Sequence, residues 1–439
     1  MEEKNTLMEK IVSLCKRRGF VFPGSEIYGG LAGIYDYGPL GNDLRFNIKQ
    51  HFWRTFVSGR EDVYGMSGAI LMPERVWEAS GHTVSFADPQ TQCLVCGEMF
   101  RTDHGDILRE HEEKHKKDGK EPKWSGSKPF NLLVESSLGA SRETAVKAYL
   151  RGEITQSVHV NFKNVLDSMH PKIPFGIGQI GKAFRNEISP SDFLFRQREF
   201  EQMELQYYVR PEEGEGARQF EYWKQFAFEW YQGLGIRKEY LRLRQHAEDE
   251  RAHYARDAWD IEYDSGVGWK EAWGIHHRGD WDLRRHQEYS GVSMEYAGEG
   301  ERFIPWVIEC SGGVDRAFLF VLLDAYREDE LGGERRVYLA LAPHLAPIRA
   351  AVFPLLKNKP GLVEKAKEVR QMLRKSIPNI AWDDNGNIGK RYRRQDEIGT
   401  PHCVTIDFET IENDSVTVRD RDTGDQKRVA LSDLTAFLK

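Results

Sequence analysis

A chain of 439 residues exceeds what one hydrophobic core usually organises, since domains hold roughly 100–200 residues, so two or three are expected. Its formal net charge of −7 excludes a protein that coats DNA through a blanket of Lys and Arg, and leaves any nucleic-acid contact to local patches. Five cysteines, odd in number and unevenly spread, argue against a disulfide scaffold, and no apolar run reaches the ~18 residues of a spanning helix, so a soluble intracellular chain is expected.

The opening MEEKNTLMEKIVSLCKRRGF predicts an amphipathic helix and lacks the apolar core of a signal peptide. In SEIYGGLAGIYDYGPLGND, glycines from Gly29 to Gly41 interrupt aromatics, as in a loop that turns tightly or approaches something closely. RFNIKQHFWRTFV then has helical spacing, with Pro39 suited to a first turn, and the short apolar segment AILMPERVW follows. Within QCLVCGEMFRTDHGDILREHEEKHKK, residues 92–117, Cys93-x2-Cys96 and His111-x3-His115 have the spacing of a tetrahedral zinc clip, and Phe100 and Leu108 fit its small apolar core. His104 is a competing ligand. The Lys-rich KKDGKEPKWSGSK reads as a solvated loop, and the whole segment reads as an insertion.

From residue 158 the pattern predicts strands, first VHVNFKNV, then GIGQIGKAFRNEI and REFEQMELQYYV, as in an antiparallel sheet with one buried and one polar face. Residues 218–233 predict an amphipathic helix. WVIECSGGVDRAFLFVLLDAY reads as a buried strand, a glycine turn and a long helix whose first amides, near Gly312 and Gly313, suit a phosphate or carboxylate. After a boundary at LGGERR, residues 331–336, strand and helix patterns alternate as in an α/β module.

Three segments carry chemistry: FRNE at 184–187, FRQREFEQME at 195–204 and GVDR at 313–316. Separated arginine forks suit a polyphosphate, although each alone reads equally well as half of an ion pair. Phe200 fits either a core position or a ring on which a flat base stacks. Glu153, Glu204 and Glu309 lie in strand-like settings where a buried charge needs a partner; converging, they would receive an ammonium group, and apart they would pair with nearby Arg or Lys.

SEIYGGLAGIYDYGPLG, VNFKNVLDS, FRNEISP, FRQREFEQMELQYY, VIECSGGVDR and GKRYRRQDEIGTP together resemble glycyl-tRNA synthetases of the homodimeric class II type, over nearly the whole chain. The resemblance implies an α+β fold: a class II antiparallel catalytic core over residues 1–333, a zinc-finger-like insertion at 88–128, and an α/β anticodon-binding domain at 334–439. It also implies a cytoplasmic homodimer that uses ATP, Mg²⁺ and a structural Zn²⁺ to join glycine to tRNA-Gly, with no sequence-specific DNA binding.

On the family's pattern, Arg185, Glu187 and Arg316 are catalytic. ATP would be bound by these three with Asn186, Phe195, Arg196, Gln197, Arg198, Glu199, Phe200, Glu271, Ala272, Gly313, Val314 and Asp315. Glycine would meet Arg101, Glu153, Phe200, Glu201, Gln202, Met203, Glu204, Arg278, Glu309, Cys310, Ser311, Gly312 and Gly313, with Arg278 as a candidate for its carboxylate. Zinc falls to Cys93, Cys96, His111 and His115, and the basic KRYRR, 390–394, is the best local patch for tRNA. Two departures sit beside the substrate: the family usually reads RPETAQG where this chain has RGEITQS (151–157), and EPS where it has Glu309-Cys310-Ser311. The rival readings are a class II-like fold that has lost its chemistry, which retention of Arg185, Glu187 and Arg316 opposes, and a zinc-finger DNA reader. One finger reads only about three base pairs, which leaves the second reading weak.

Overall fold

Strands that alternate polar and apolar residues must pack one face and offer the other, and seven such strands form the centre of the protein. In the computed structural model, which describes residues 6–438 except 142, 191–192, 252–254, 267 and 299, they are β1 (Val63–Met66), β2 (Phe175–Phe184), β3 (Glu199–Val209), β4 (Leu241–Gln245), β5 (Asp257–Asp264), β6 (Trp269–Gly279) and β7 (Trp306–Gly313). Their spatial order is β4-β5-β6-β7-β3-β2-β1, antiparallel throughout except for the edge pair β1–β2.

One face of this sheet is apolar: Met203, Leu205, Trp273, Ile275, Ile308 and Cys310 join a large core covered by the helices Pro39–Phe52, Glu213–Gly233 and Val314–Ala325. The other face carries Gln202, Glu204 and Gln206 of β3, paired in register with Gly313, Ser311 and Glu309 of β7. Residues opposite one another in an antiparallel pair point to the same side, so this register alone gathers the polar groups.

The amino-terminal helix is present at Leu7–Arg18, closed by a capping box between Thr6 and Glu9, while residues 1–5 of that stretch lie outside the described residues. Pro39 does open its helix, whose end continues as a wider turn at Trp53–Ser58. VHVNFKNV is a correction: this stretch is helical, in Thr155–His159 and Phe162–Met169, not a strand. Val158, Phe162 and Leu166 recur every four residues and pack together against Phe175 and Tyr208, so the period is that of a helix.

The cysteine-bearing segment forms a three-stranded sheet of Ala87–Gln92, Met99–Arg101 and Lys128–Asn131, with the helix Gly105–Lys117 beside it. Further on, Gly332 and Gly333, both at positive φ, make the turn of a hairpin between Tyr326–Leu331 and Glu334–Leu339. Leu339, Leu341 and Leu345 still pack in the first core, and a separate core begins at Ala350. There β8 (Ala350–Pro354), β9 (Ile380–Trp382), β10 (His402–Ile406), β11 (Ser415–Asp420) and β12 (Gln426–Ala430) form a mixed sheet of order β9-β8-β10-β11-β12.

In the KRYRR stretch Arg391 braces the protein from within, Arg393 and Arg394 are part-exposed, and Lys390 is exposed. Arg391 is only 1% exposed and donates to the carbonyls of Pro354, Asp384 and Gly386 at 2.5, 3.1 and 2.8 Å. Arg394 is bonded to Asp383, and Arg393 to the Leu331 carbonyl. Arg391→Ala strands three acceptors and is expected to cost about 3 kcal/mol, read as a lowered urea midpoint for the carboxy-terminal unit.

Candidate active site

Where β3, β7 and the start of the Val314–Ala325 helix meet, a cavity of about 420 Å³ opens on the polar face of the sheet. Gln202, Ser311, Gly312 and Gly313 line its floor, Phe86, Asp88 and Arg101 one wall, and Arg185, Glu187, Phe195, Arg196, Gln197, Phe200, Glu271, Asp315 and Arg316 much of the remainder.

Four arginines stand at this cavity, Arg101, Arg185, Arg196 and Arg316. Arg185 lies 5.3 Å from the Phe200 ring and 5.1 Å from the Phe86 ring, and its Nε donates to the Gly152 carbonyl at 3.1 Å. Arg316 covers Phe195 and pairs with the half-exposed Glu271 at 3.0 Å, which holds that carboxyl below its ordinary range even as burial pushes it up. Arg101 is clamped by Asp88 and Asp103. Arg198 instead acts within the chain, donating to the carbonyls of Glu187 and Ala32. Glu187 is buried, its pKa is raised by that burial, and its Oε2 has no hydrogen-bond partner among the described residues. A buried orphan acceptor of this kind fits a donor on a ligand.

The acids converge just beyond the floor. Ser311 Oγ and Gln202 Nε2, both cavity residues, donate to Glu204 Oε1 at 2.8 and 3.0 Å. Gln206 Nε2 reaches Glu309 at 2.8 Å and Glu204 at 3.3 Å, and Thr155 Oγ1 lies between the same two carboxylates. Glu153 completes the group, held by His82 at 3.3 Å and Gln156 at 3.0 Å. Burial, then the charges of Glu309 and Glu153, pushes Glu204 up to about 8. Glu309 goes the other way: burial opposes its charge, but Arg278 and His276 hold it well below the usual carboxylate range. Burial also raises Glu153, and His82 and Arg278 more than reverse it.

Several expected contacts are corrected. The side chains of Met203, Ala272, Cys310 and Val314 lie in the large apolar core, so they do not face the cavity; for Met203 and Cys310 the alternation of β3 and β7 turns them away. Arg278, the candidate for a substrate carboxylate, is 2% exposed and has its Nε and Nη2 on Asp282 at 2.7 and 2.8 Å and its Nη1 on Glu309. It is a counter-ion inside the acid cluster. Glu199 pairs with Lys182, and Glu201 with Lys49 and Arg45. Asn186, by its backbone N–H, bonds to the Leu132 carbonyl.

Sequence reasoning missed Tyr37, Arg45, Thr155, His82, His276 and Gln206. Tyr37 and Arg45 fasten Asp315, which in turn accepts from the Glu201 amide at 2.7 Å, and burial and the Asp315 charge drive the Tyr37 phenol well up. Gln206 was within reach of pattern reading, two residues from Glu204 on the same strand face. His82 carried no such signal.

In the insertion, the donor atoms of Cys93, Cys96, His111 and His115 lie within 4.8 Å of one another. Cys93 Sγ is 3.6 Å from His115 Nε2, and Cys96 Sγ 3.5 Å from His111 Nε2. Zinc bonds of 2.0–2.3 Å give tetrahedral edges of about 3.3–3.8 Å, so this S₂N₂ set fits that ion. His104 is outside the cluster and contacts Arg196 at 3.3 Å, joining the insertion to the cavity loop. Phe100 packs on His111 and Trp124.

An antiparallel sheet whose polar face presents separated arginines, an aromatic platform and a helix N-terminus defines a class II aminoacyl-tRNA synthetase core. Residues 141–339 match the family described as "tRNA synthetase class II core domain (G, H, P, S and T)", and residues 349–439 the "Anticodon binding domain" family. The chain is 45% identical to a glycine–tRNA ligase of Caldanaerobacter subterraneus subsp. tengcongensis, covering 98% of each chain. It is 46% identical to that of Clostridium acetobutylicum (100% and 99% covered) and 44% to that of Treponema denticola (100% and 98%). The chain belongs to the glycine–tRNA ligase family.

Proposed function

We propose that the protein activates glycine with ATP and transfers it to the 3′ end of tRNA-Gly. The observation that carries this reading is the placement of a buried acid cluster at the end of an arginine-walled cavity. An ammonium group held by Glu204, Glu309 and Glu153 would set a glycine carboxylate toward the arginines, where a triphosphate belongs.

In this reading Phe200 stacks on adenine and the orphan Oε2 of Glu187 accepts from its amino group. Arg185 grips the α-phosphate and Arg316 the γ-phosphate. The glycine carboxylate oxygen bonds to the α-phosphorus as the bond to pyrophosphate breaks; the tRNA terminal hydroxyl then takes the glycyl group and AMP leaves. Positioning and neutralisation of negative charge accelerate both steps, with no covalent intermediate on the protein. Glu271, the most open carboxylate near Arg316, would help hold Mg²⁺, which supplies charge neutralisation on the phosphates. Cys93, Cys96, His111 and His115 would hold a structural Zn²⁺ that fixes the wall bearing Arg101.

Nothing smaller than glycine competes for the site, so steric exclusion suffices for selectivity. The unit built on the five-stranded sheet is assigned to the anticodon end of tRNA, and the chain is assigned to a homodimer in the cytoplasm. Among the described residues no helix is long and apolar enough to cross a membrane.

ATP–pyrophosphate exchange tests the reading: glycine should support it and alanine and serine should not, while no exchange with glycine would refute it. The same assay carries a pH signature. Glu204, raised to about 8, holds a proton in the empty site and must release it to pair with the ammonium. The KM for glycine is therefore expected to fall as pH rises toward about 8 and then to level off, until the glycine amine itself loses its proton.

A further inference from the structure

The repulsion within the acid cluster is met by a buried hydroxyl that lies between two carboxylates. Glu204 and Glu309 lie on neighbouring strands, on one face, 1% and 3% exposed. Two carboxylates so placed cannot both ionise freely. Between them stands Thr155, 2% exposed, its Oγ1 2.7 Å from Glu204 Oε2 and 3.2 Å from Glu309 Oε2. The hydroxyl of Ser311, also at the cluster, bonds among the described residues to Glu204 alone.

A hydroxyl both donates one proton and accepts through its lone pairs. Thr155 can therefore accept from a protonated Glu204 while donating to an ionised Glu309, or donate to Glu204 once that carboxyl is charged. The amide of Gln206 also spans the pair, at 3.3 and 2.8 Å, but its nitrogen only donates. Thr155 opens the short helix Thr155–His159, yet its hydroxyl caps no backbone amide, and both of its hydrogen bonds go to the acids.

We propose that Thr155 is a positioning residue for the amino-acid subsite: its hydroxyl bridges Glu204 and Glu309 and holds the pair in a singly protonated arrangement that an incoming ammonium converts to two carboxylates. This rests on the glycine-activating reading. The balance is one cation for another, since the ammonium enters and the Glu204 proton leaves to solvent. Glu153 faces the pair from the loop before the helix and Arg278 and His276 from β6, and the charge of Arg151 also acts on Glu204. These charges remain in a Thr155 variant, so an altered titration reports the hydroxyl.

Thr155→Val, Thr155→Ala and Thr155→Ser are compared by glycine-dependent exchange across about pH 6 to 9, with melting temperature as the control for folding. Thr155→Val is expected to raise the KM for glycine about tenfold near neutrality and to move the midpoint of its pH profile upward. The kcat at saturating glycine and the KM for ATP should stay within about threefold. Thr155→Ser should restore the wild-type profile, and Thr155→Ala should follow valine, so it replaces valine if that variant folds poorly. A wild-type KM and midpoint in both variants that lack the hydroxyl, or an equal loss in Thr155→Ser, overturns the proposal alone. Absence of glycine-dependent exchange in the wild type overturns the functional reading and this proposal with it.

Discussion

Arg185→Ala is expected to lower glycine-dependent ATP–pyrophosphate exchange by about 10³-fold, with the fold intact. The guanidinium stands between the Phe86 and Phe200 rings at the cavity wall, fixed by its Nε on the Gly152 carbonyl. No hydrogen bond from Nη1 or Nη2 is present among the described residues, so both are available to the phosphate at which glycine attacks. Removing a fixed donor from a developing negative charge typically costs about 10²–10³-fold, and here a full positive charge goes with it. Arg185→Lys keeps the charge but loses the planar fork, and should recover only part of the rate. Activity of Arg185→Ala within about tenfold of wild type would remove this residue from the reaction.

Cys93→Ser has the second largest expected effect. A zinc ion in an S₂N₂ clip stabilises its fold by an apparent ~10–16 kcal/mol at neutral pH in isolated fingers, so losing one thiolate should empty the site. Metal analysis is expected to fall from about one zinc per chain to roughly a tenth of that. The consequence reaches the cavity, because the strand Met99–Arg101 is paired with Ala87–Gln92, which carries Asp88, and the clip closes directly behind both. His104 adds a contact to Arg196. Aminoacylation should weaken roughly tenfold or more, mainly through the KM for ATP, with the main unfolding transition little changed. Unchanged metal content and unchanged activity would show that the four residues gather for another reason.

Much of the site was legible because its chemistry is local in sequence. Arginines at 185, 196 and 316, Phe200, and the turn at Gly312 and Gly313 all line the cavity, each sitting in a short phrase whose strand or helix could be read from alternation. The gathering of Cys93, Cys96, His111 and His115 was equally legible, since two pairs at fixed spacing on a hairpin and a helix leave little freedom in how they close. Errors arose where a short phrase allows two periods or two environments. VHVNFKNV is too brief to separate a strand from a buried helix, and Phe175 and Tyr208, brought from distant positions, selected the helix. KRYRR reads as a basic patch, yet Arg391 within it is drawn inward by the Pro354 carbonyl at the end of β8.

Charge is where the tertiary structure decided most. The sequence by itself determined most of the element types, the spacing of the Cys and His pairs and several of the residues that line the cavity. It could not say whether Glu153, Glu204 and Glu309 meet, nor that Arg278 serves Glu309 and Asp282 instead of a substrate, nor that Thr155 bridges two acids from other elements. Those outcomes depend on register between β3 and β7 and on the dielectric inside the fold. Element patterns follow from propensities of a few neighbouring residues, whereas the ionisation of a buried carboxyl depends on every charge within several ångströms, and only folding brings those charges together.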